Sequence, residues 1–376
     1  MALVNLIGFD HFKTVPTYNA GTGGALFAAA SSLASGLAGL PGNDTTTFGS
    51  MLSSYSSTWL VNEVTLSNGK VRKFLCTSGA SSYMRWQMNN AQVDALPKTG
   101  KWYLGARIYY AIGPQAGSPG TGIQIRLGSN GLIVSAVTYT PGVSYMEVEI
   151  DWVALTIKTY LNGVLQNTVS GAAYLTPSYT GKLINVGPTS SYSGTGPQAG
   201  FTDFYFIVEE ANEPNPIGGR LGPIIVKPLP WQSIANAGRF TPPGTLSVLD
   251  QFNANNTDLG VVPASGQQSN WDNRYYNVQT SPNGEIATLS AALPTETQPI
   301  VAVQVATLSH KLQAAAAGTQ QQLKQGTASL PLDRTIPGLV GAPTRKTYAA
   351  MKAPDGGAWS NEKVGQIKLD IGSYRP

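Results

Sequence analysis

One stretch of the chain alternates between apolar and charged residues with a period of two. From Met146 to Asp151 the apolar residues are separated by three acids, Glu147, Glu149 and Asp151. This spacing places the apolar side chains on one face of a β-strand and the acids on the other. The alternation resumes from Leu155 to Leu161. Asn162-Gly163 follows, a pair that tolerates the positive φ angles of a two-residue hairpin turn. The stretch therefore predicts three consecutive antiparallel strands.

Two further Asn-Gly pairs, at 68–69 and 130–131, lie between strand-like runs and predict two more hairpins. The chain holds 42 Gly and 25 Pro, and only 12% of its residues are charged, a balance typical of many short strands joined by turns. The predicted strands of the first half, besides those above, are 58–66, 70–76, 82–88, 101–112, 123–127, 132–137, 182–186 and 201–209. This spacing predicts an all-β jelly-roll sandwich.

The second half is less regular in its pattern. Residues 212–230 are rich in Pro and Gly and predict a connector, which divides the chain into a jelly-roll domain at 1–211 and a β-rich domain at 231–376. In the latter we predict strands at 300–308 and 366–374, and an aromatic strand around Trp271, Tyr275 and Tyr276. We also expect a closing hairpin at 346–360, and a loop or short helix at 313–326. Residues 20–40, rich in Ala, Ser and Gly, form either a short helix or a glycine-rich loop.

Few residues of the chain suit nucleophilic or soft-metal chemistry. There are two histidines, His11 and His310, and one cysteine, Cys76. Neither a G-x-S-x-G motif nor a phosphate-binding G-x-x-x-x-G-K-[ST] motif occurs. We interpret both histidines as structural and Cys76 as a small buried hydrophobe. We therefore predict no zinc site of Cys and His ligands, no cofactor and no catalytic residue.

The acids of the alternating stretch suggest two kinds of site. A glycosidase needs two carboxylates on one face, and Glu147, Glu149 and Asp151 share a strand face. The E-x-D-x-E pattern of some jelly-roll glucanases lacks its third acid here, because Val153 and Ala154 occupy its place. We therefore expect a solvent-exposed acidic face rather than a catalytic one. Calcium ligands are suggested by Asp151, Asn162 and Asp203, but without an EF-hand-like spacing we predict no metal.

The charge distribution restricts the partners. The net charge of +4 is spread thinly, without the basic patch that nucleic-acid binding requires. The N-terminus lacks the pattern of a secretory signal. The longest apolar stretch, 25–40, is too short to span a bilayer. We therefore expect neither nucleic-acid binding nor membrane insertion.

Several motifs, in order along the chain, resemble those of a known family. The runs E-x-E-I-D-W…L-x-I-K-x-Y-L-N-G-V at 147–164, I-N-V-G at 184–187 and F-T-D-F-Y-F at 201–206 resemble the concanavalin A-like (laminin G-like) jelly roll. A group of tailed-phage virion proteins carrying this jelly roll is similar in further passages, namely L-I-G-F-D-H-F at 6–12, G-x-L-G-P-I-I-V-K-P-L-P-W at 219–231, A-V-Q-V at 302–305 and Y-A-A-M…P-D-G-G-A-W-S at 348–360. The resemblance covers most of the chain and departs from it at 20–40.

The resemblance implies a non-enzymatic structural component of a phage particle, associated with the tail, collar or fibre. Such a protein is assembled in the cytoplasm of the bacterial host and resides in the virion. Its expected partners are other copies of itself, with a trimer as one option, and other virion proteins. The alternative hypothesis is a host-adhesion protein that binds surface glycans through an aromatic platform. Its candidate residues are Trp86, Trp102, Tyr103, Tyr109 and Tyr110, for which core packing is the competing interpretation.

Overall fold

The chain divides into two compact units, Met1–Lys227 (unit 1) and Pro228–Pro376 (unit 2). The computed structural model describes residues 2–8, 52–54, 59–78, 84–111, 120–128, 131–176, 181–188, 197–210, 216–227, 229–236, 247, 249, 286–295, 297–309, 318–335 and 344–374. The predicted segments at 20–40 and around Trp271, Tyr275 and Tyr276 lie outside these residues. The same is true of His11, of His310 and of Asn130 in the predicted turn.

The described residues of unit 1 form thirteen strands and one short helix. The strands are β1 (Ala2–Ile7), β2 (Leu52–Ser54), β3 (Trp59–Thr65), β4 (Val71–Ser78), β5 (Met84–Met88), β6 (Lys101–Tyr110), β7 (Gly120–Leu127), β8 (Leu132–Thr138), β9 (Gly142–Asp151), β10 (Thr156–Leu161), β11 (Val164–Ser170), β12 (Lys182–Val186) and β13 (Pro197–Val208). The helix is α1 (Asn90–Ala95).

The strands of unit 1 form two antiparallel sheets. The larger has the order β11-β10-β9-β6-β13-β4-β3, with β1 also paired to β13, and the smaller has the order β2-β5-β12-β7-β8. The three strands predicted from the alternating stretch are β9, β10 and β11, and they pair in sequence. Their last turn has positive φ at both Asn162 and Gly163, which confirms the predicted two-residue turn.

The core of unit 1 lies between the two sheets. Trp86 of the smaller sheet is fully buried, and its ring centroid lies 4.8 Å from that of Phe204 in the larger sheet. Trp102 and Trp152 pack at 4.7 Å, and Trp102 also contacts Phe206 edge to face. These aromatic side chains remove large apolar areas from water, the main stabilising contribution to such a sandwich. Cys76 is buried, as its interpretation as a small hydrophobe requires.

Unit 2 is also a β-structure in its described residues. Its strands are β14 (Trp231–Asn236), β15 (Ile286–Ala291), β16 (Val303–Ser309), β17 (Gly318–Gln325), β18 (Ala328–Ser329), β19 (Asp333–Thr335), β20 (Thr344–Ala350) and β21 (Ile367–Tyr374). They form a sheet of order β14-β15-β21-β17-β18, with β19 paired to β17, and a separate β16-β20 pair. A short helix, α2 (Asn361–Gly365), precedes β21. The all-β class predicted for the whole chain is confirmed.

Two predictions for unit 2 are wrong. Residues 318–325, within the predicted loop or short helix, form β17, which pairs with β21 over eight residue pairs. Residues 358–360 form no strand with 346–351, because β20 pairs with β16 instead and the chain turns into α2. In both cases the pairing partner is distant in sequence, and tertiary pairing outweighs the local pattern.

Candidate functional site

The acidic residues of β9 do not face solvent, and that prediction is wrong. Glu147 is fully buried and Glu149 is 8% exposed, although both lie on the face of the larger sheet opposite the core. Residues 216–227, which we call the strap, hydrogen-bond to this face. The sequence placed these residues in a connector. In the structure they belong to unit 1.

The strap is attached at Glu147. The guanidinium of Arg220 forms an ion pair with the Glu147 carboxylate. The amide N–H of Gly222 donates to Glu147 Oε1 at 3.0 Å. The hydroxyl of Tyr205 donates to the same oxygen at 2.7 Å and accepts a hydrogen bond from the Leu221 amide at 3.1 Å. One buried carboxylate therefore binds both the sheet and the strap.

A glycine makes room for this contact. Gly105 of β6 lies between Tyr205 and Glu147 in the ladder, since it is the register partner of both. A Cβ atom at position 105 would lie 2.3 Å from the Tyr205 ring. The ring of Tyr205 thus crosses the bare backbone of Gly105 to reach the strand beyond it. A side chain at position 105 would block that path.

A second attachment point is Asp203 on β13, which is fully buried. Its carboxylate pairs with Arg72, and with Arg107 at 2.9 Å, and it accepts the amide of Val226 at 2.9 Å. The two arginines also donate to strap carbonyls, Arg72 to Val226 and Arg107 to Ile224, each at 3.2 Å. Two cations, one anion and the strap backbone therefore satisfy one another away from water.

The backbone at Asp203 is unusual. Its φ is +49°, within the left-handed region, and the register of β13 against β6 shifts between Thr202 and Tyr205. Asp tolerates this region better than most residues with a side chain. The bulge orients the carboxylate of Asp203 toward the two arginines and the strap, which is a typical effect of such irregularities.

Glu149 and Asp151 continue the network toward the end of β9. Glu149 pairs with Lys101 at 3.2 Å and Lys158 at 3.5 Å. The ring of Tyr160, whose hydroxyl lies 3.4 Å from Glu149, stacks under the Arg220 guanidinium at 3.5 Å from the ring centroid. Burial opposes ionisation of Asp151. Hydrogen bonds from the amides of Ala154 and Val153, together with Lys101, outweigh burial and lower its pKa.

Burial has the opposite consequence for the tyrosines below the strap. It raises the pKa of Tyr205 well above its ordinary value, and Tyr145 and Glu147 raise it further. It also raises the pKa of Tyr145 well above the ordinary value, with Glu147 adding to the effect. Both hydroxyls are therefore kept as neutral hydrogen-bond donors.

This arrangement does not resemble an acid–nucleophile pair. A glycosidase needs one protonated and one ionised carboxyl group, both open to a sugar. Glu147 and Glu149 are instead held by cations and hydroxyl groups, and Glu147 is covered by the strap. The arrangement can fix the strap to the sheet, and it offers no reachable pair of acids.

The residues considered for calcium are not brought together. Asp203 is held by Arg72 and Arg107, Asn162 accepts the amide of Tyr145 at 2.8 Å, and Asp151 accepts the amides of its own turn. Within the described residues no group of three or more His, Cys, Asp or Glu side chains could hold a metal ion. None of the helices described is long and apolar enough to cross a membrane.

The aromatic platform considered for glycan binding does not exist on the surface. Trp86, Trp102, Tyr103 and Tyr110 are all buried, and Tyr109 is half-buried and packs against Phe74 at 5.8 Å. The competing interpretation of these residues as core is confirmed for the four buried ones. These four side chains therefore cannot form an exposed aromatic platform for a glycan.

A different polar surface was missed at the sequence level. On the outer face of the smaller sheet, Gln87, Asn185, Gln124 and Ser135 are consecutive register partners across β5, β12, β7 and β8. We call these four residues the amide row. Asn185 is 1% exposed, its Nδ2 lies 3.5 Å from Gln124 Oε1, and its Oδ1 is buried without a partner. Polar residues at alternate positions of β7 were the available signal for this row.

No protein-family model and no curated protein matches the chain. Similar solved structures include an alginate lyase from Corynebacterium sp., at 16% identity over 33% of this chain and 67% of that one, with a TM-score of 0.24. Another is the receptor-binding domain of a botulinum neurotoxin C/D mosaic serotype, at 11% identity over 44% of each chain, with a TM-score of 0.30. The cellulose-induced protein Cip1 is 17% identical over 44% of this chain and 88% of its own, with a TM-score of 0.27. These similarities concern the fold and do not extend to activity or ligand.

Proposed function

We propose that the chain is a non-enzymatic structural component of a tailed-phage particle, which works through protein–protein contacts in an oligomer. The proposal has two parts, the absence of catalysis and the place in a virion. The first is supported by the structure of the acidic strand, and the second by the resemblance of the ordered sequence motifs.

The observation that carries the first part is the state of Glu147. Its carboxylate is fully buried and is occupied by Arg220, Tyr205 and Gly222. Catalysis by this acid would require the strap to leave and the buried Glu147 carboxylate to lose Arg220, whose side chain is partly exposed. Leaving a buried charge without its partner costs up to about 3–5 kcal/mol. The acids of β9 are better explained as structural.

Surface contacts fit the rest of unit 1. Large apolar side chains are exposed where β8 ends and β11 begins, namely Tyr139 (67%), Val164 (70%) and Leu165 (51%). Exposed apolar residues that lie near one another favour a protein partner. The low charge of the chain, 12%, also suits assembly by close packing of surfaces.

The place in the particle can be tested directly. Mass spectrometry of purified virions from the phage or prophage that encodes the chain should detect it in stoichiometric amounts, alongside a known capsid protein as the internal standard. Its presence only in the lysate, outside the particle, would contradict the virion role. Release of reducing sugar from host polysaccharide by the purified chain, lost in Glu149→Gln, would contradict the non-enzymatic part.

A second candidate function is glycan binding on the smaller sheet, supported by the amide row rather than by aromatic residues. Amide groups offer donors and acceptors that match sugar hydroxyls. Gln124 is half-buried, so its amide is a group of the row that a polysaccharide hydroxyl can reach.

Calorimetric titration with host-surface polysaccharide distinguishes this candidate from the first. Glycan binding predicts heat of binding that is lost in Gln124→Ala and kept in Gln232→Ala, an exposed amide of unit 2. Binding that is absent, or equal in both variants, would exclude the amide row and leave the structural role as the proposal.

A further inference from the structure

The outermost strand of the larger sheet has one paired side and one free side among the residues that the structure describes. Within them, β11 forms one end of the sheet and pairs with β10 on its inner side. Six of its seven residues are exposed, including Val164 at 70% and Leu165 at 51%. Its outer row of N–H and C=O groups lies at the free edge of the sheet. Such an edge is ready to pair with another strand.

The neighbouring edge strand is protected, in contrast to β11. β8 ends the smaller sheet on the same rim. The side-chain amide of Gln166 accepts the Val137 N–H at 3.2 Å and donates to the Val137 carbonyl at 2.9 Å. The Gln166 side chain thereby makes the two hydrogen bonds that a neighbouring strand would make to Val137. A residue of β11 thus occupies the edge of β8 at Val137, while within the described residues the outer edge of β11 itself has no paired strand.

The composition of β11 also lacks the usual protection. Its sequence, VLQNTVS, contains neither a charged residue nor a proline. Natural edge strands commonly carry Lys or Pro to prevent pairing with another chain. When a strand pairs with its own copy about a two-fold axis, every charge on the strand occurs twice at the joined edge. An uncharged strand is therefore the kind that accepts a copy of itself.

We propose that β11 pairs antiparallel with β11 of a second copy of the chain, so that the two larger sheets join into one. This inference rests on the proposed function, which includes an oligomer, and it identifies the surface through which the copies associate. The exposed side chain of Tyr139, in the turn after β8, enlarges the contact. An edge pair alone is smaller than a standard interface, so the dimer forms in a concentration-dependent manner.

The ladder specifies a register. Val164 and Val169 are the register partners of Leu161 and Ile157 on β10, and these two residues are in turn the partners of Met146 and Ile150 on β9. Val164 and Val169 therefore lie on the core side of the sheet. Leu165 and Thr168 are the register partners of Tyr160 and Lys158, which lie on the opposite face of the sheet. A bulge at Gln166 shifts the alternation between them. Placing Val164 opposite Val169 of the second copy also places Leu165 opposite Thr168. Each side chain then meets one on its own side of the joined sheet.

Sedimentation equilibrium of the full chain over a wide concentration range tests the inference. The wild-type protein should pass from monomer to dimer, and Val164→Lys should weaken the dimer several-fold, because the substitution replaces an apolar cross-strand pair at two places across the axis. Val153→Lys is the matched control, because it changes an equally exposed valine outside β11 and should dimerise nearly as the wild type does. Thermal melting of each variant verifies folding.

Hydrogen exchange adds a readout at the strand itself. Backbone amides of 165–169 should become protected as the concentration rises, and this should be lost in Val164→Lys. A wild-type chain that stays monomeric at all concentrations, or a dimer or trimer that Val164→Lys leaves intact, would overturn the pairing of β11. An intact oligomer in that variant would still agree with the proposed structural role, so the two failures are distinguishable.

Discussion

Tyr205 and Glu147 lie on two strands that are separated by a third, and their side chains meet across Gly105. The Tyr205 hydroxyl donates to Glu147 Oε1 at 2.7 Å, and the same carboxylate receives Arg220 and Gly222 of the strap. This contact turns a face that carries acidic residues into a buried one. It also gives Glu147 a structural role, because its carboxylate joins the sheet to the strap.

Glu147→Gln should destabilise unit 1. The substitution leaves Arg220 without its anion while most of the surrounding polar groups stay buried, so we expect a loss of about 2–4 kcal/mol in the free energy of unfolding. Urea denaturation followed by near-ultraviolet circular dichroism measures it. Glu63→Gln is the control, since the Glu63 side chain is 49% exposed and its pair with Lys73 spans 4.0 Å. That variant should lose less than about 1 kcal/mol.

Gly105→Ala should displace Tyr205. The added methyl group would lie 2.3 Å from the ring, too close for any arrangement without movement. We expect a loss of about 1–3 kcal/mol, typical of overpacking. Gly163→Ala is a useful comparison, because nothing lies within 4 Å of a Cβ there and its cost would be the backbone strain at φ +84° alone. Gly105→Ala combined with Tyr205→Ala should recover part of the loss. A double variant that is no better than the sum of the singles would contradict the steric explanation.

Asp203→Ala and Asp203→Asn separate charge from backbone conformation. Both substitutions leave Arg72 and Arg107 without their anion, and we expect about 3–5 kcal/mol of destabilisation from that loss. Asn tolerates the left-handed φ of +49° at this position, and Ala tolerates it less well by about 1 kcal/mol. The alanine variant should therefore have the lower urea midpoint. Equal midpoints would show that the backbone conformation at residue 203 carries no strain.

The tyrosines under the strap should give unit 1 an alkaline limit. The pKa of Tyr145 and that of Tyr205 are raised in the folded state, chiefly by burial. Their contribution to stability is therefore fully present below the unfolded value of about 10 and is lost as the pH rises above it. Stability measured across this range should fall, and Tyr205→Phe should flatten the fall. Tyr139→Phe, at a 67% exposed residue, should leave the profile unchanged.

The fold was largely predictable from sequence, and the site was not. The alternation in β9 and β10 and the Asn162-Gly163 turn depend on local geometry, which short stretches of sequence record. The burial of Glu147 depends on Arg220, which lies 73 residues away in a stretch whose Pro and Gly content indicates only irregular structure. Period-two alternation shows which residues share a face of a strand, but it does not show which other segment covers that face. A distant segment rich in Gly and Pro has no sequence pattern that predicts where it packs.

Two short elements show which local structures the sequence could and could not predict. α1 carries a signal that could have been found, because Asn89 and Gln92 form a reciprocal capping box at its start. β17 offered no such signal. Its sequence, GTQQQLKQ, is polar, and its strand form depends on pairing with β21 and β19. Polar strands of this kind are specified by their neighbours rather than by their own alternation.

Hydrogen exchange across residues 216–227 of the wild-type chain shows directly whether buried groups of the sheet bind the strap. The strap has no regular secondary structure, so its amides are protected only if the acids and tyrosine of the sheet bind it. We expect slow exchange at Leu221, Gly222 and Val226, whose amides donate to Tyr205, Glu147 and Asp203. We also expect a large loss of that protection in Arg220→Ala. Exchange of these three amides in the wild type at the rate of an unstructured peptide would contradict the attachment of the strap to the sheet.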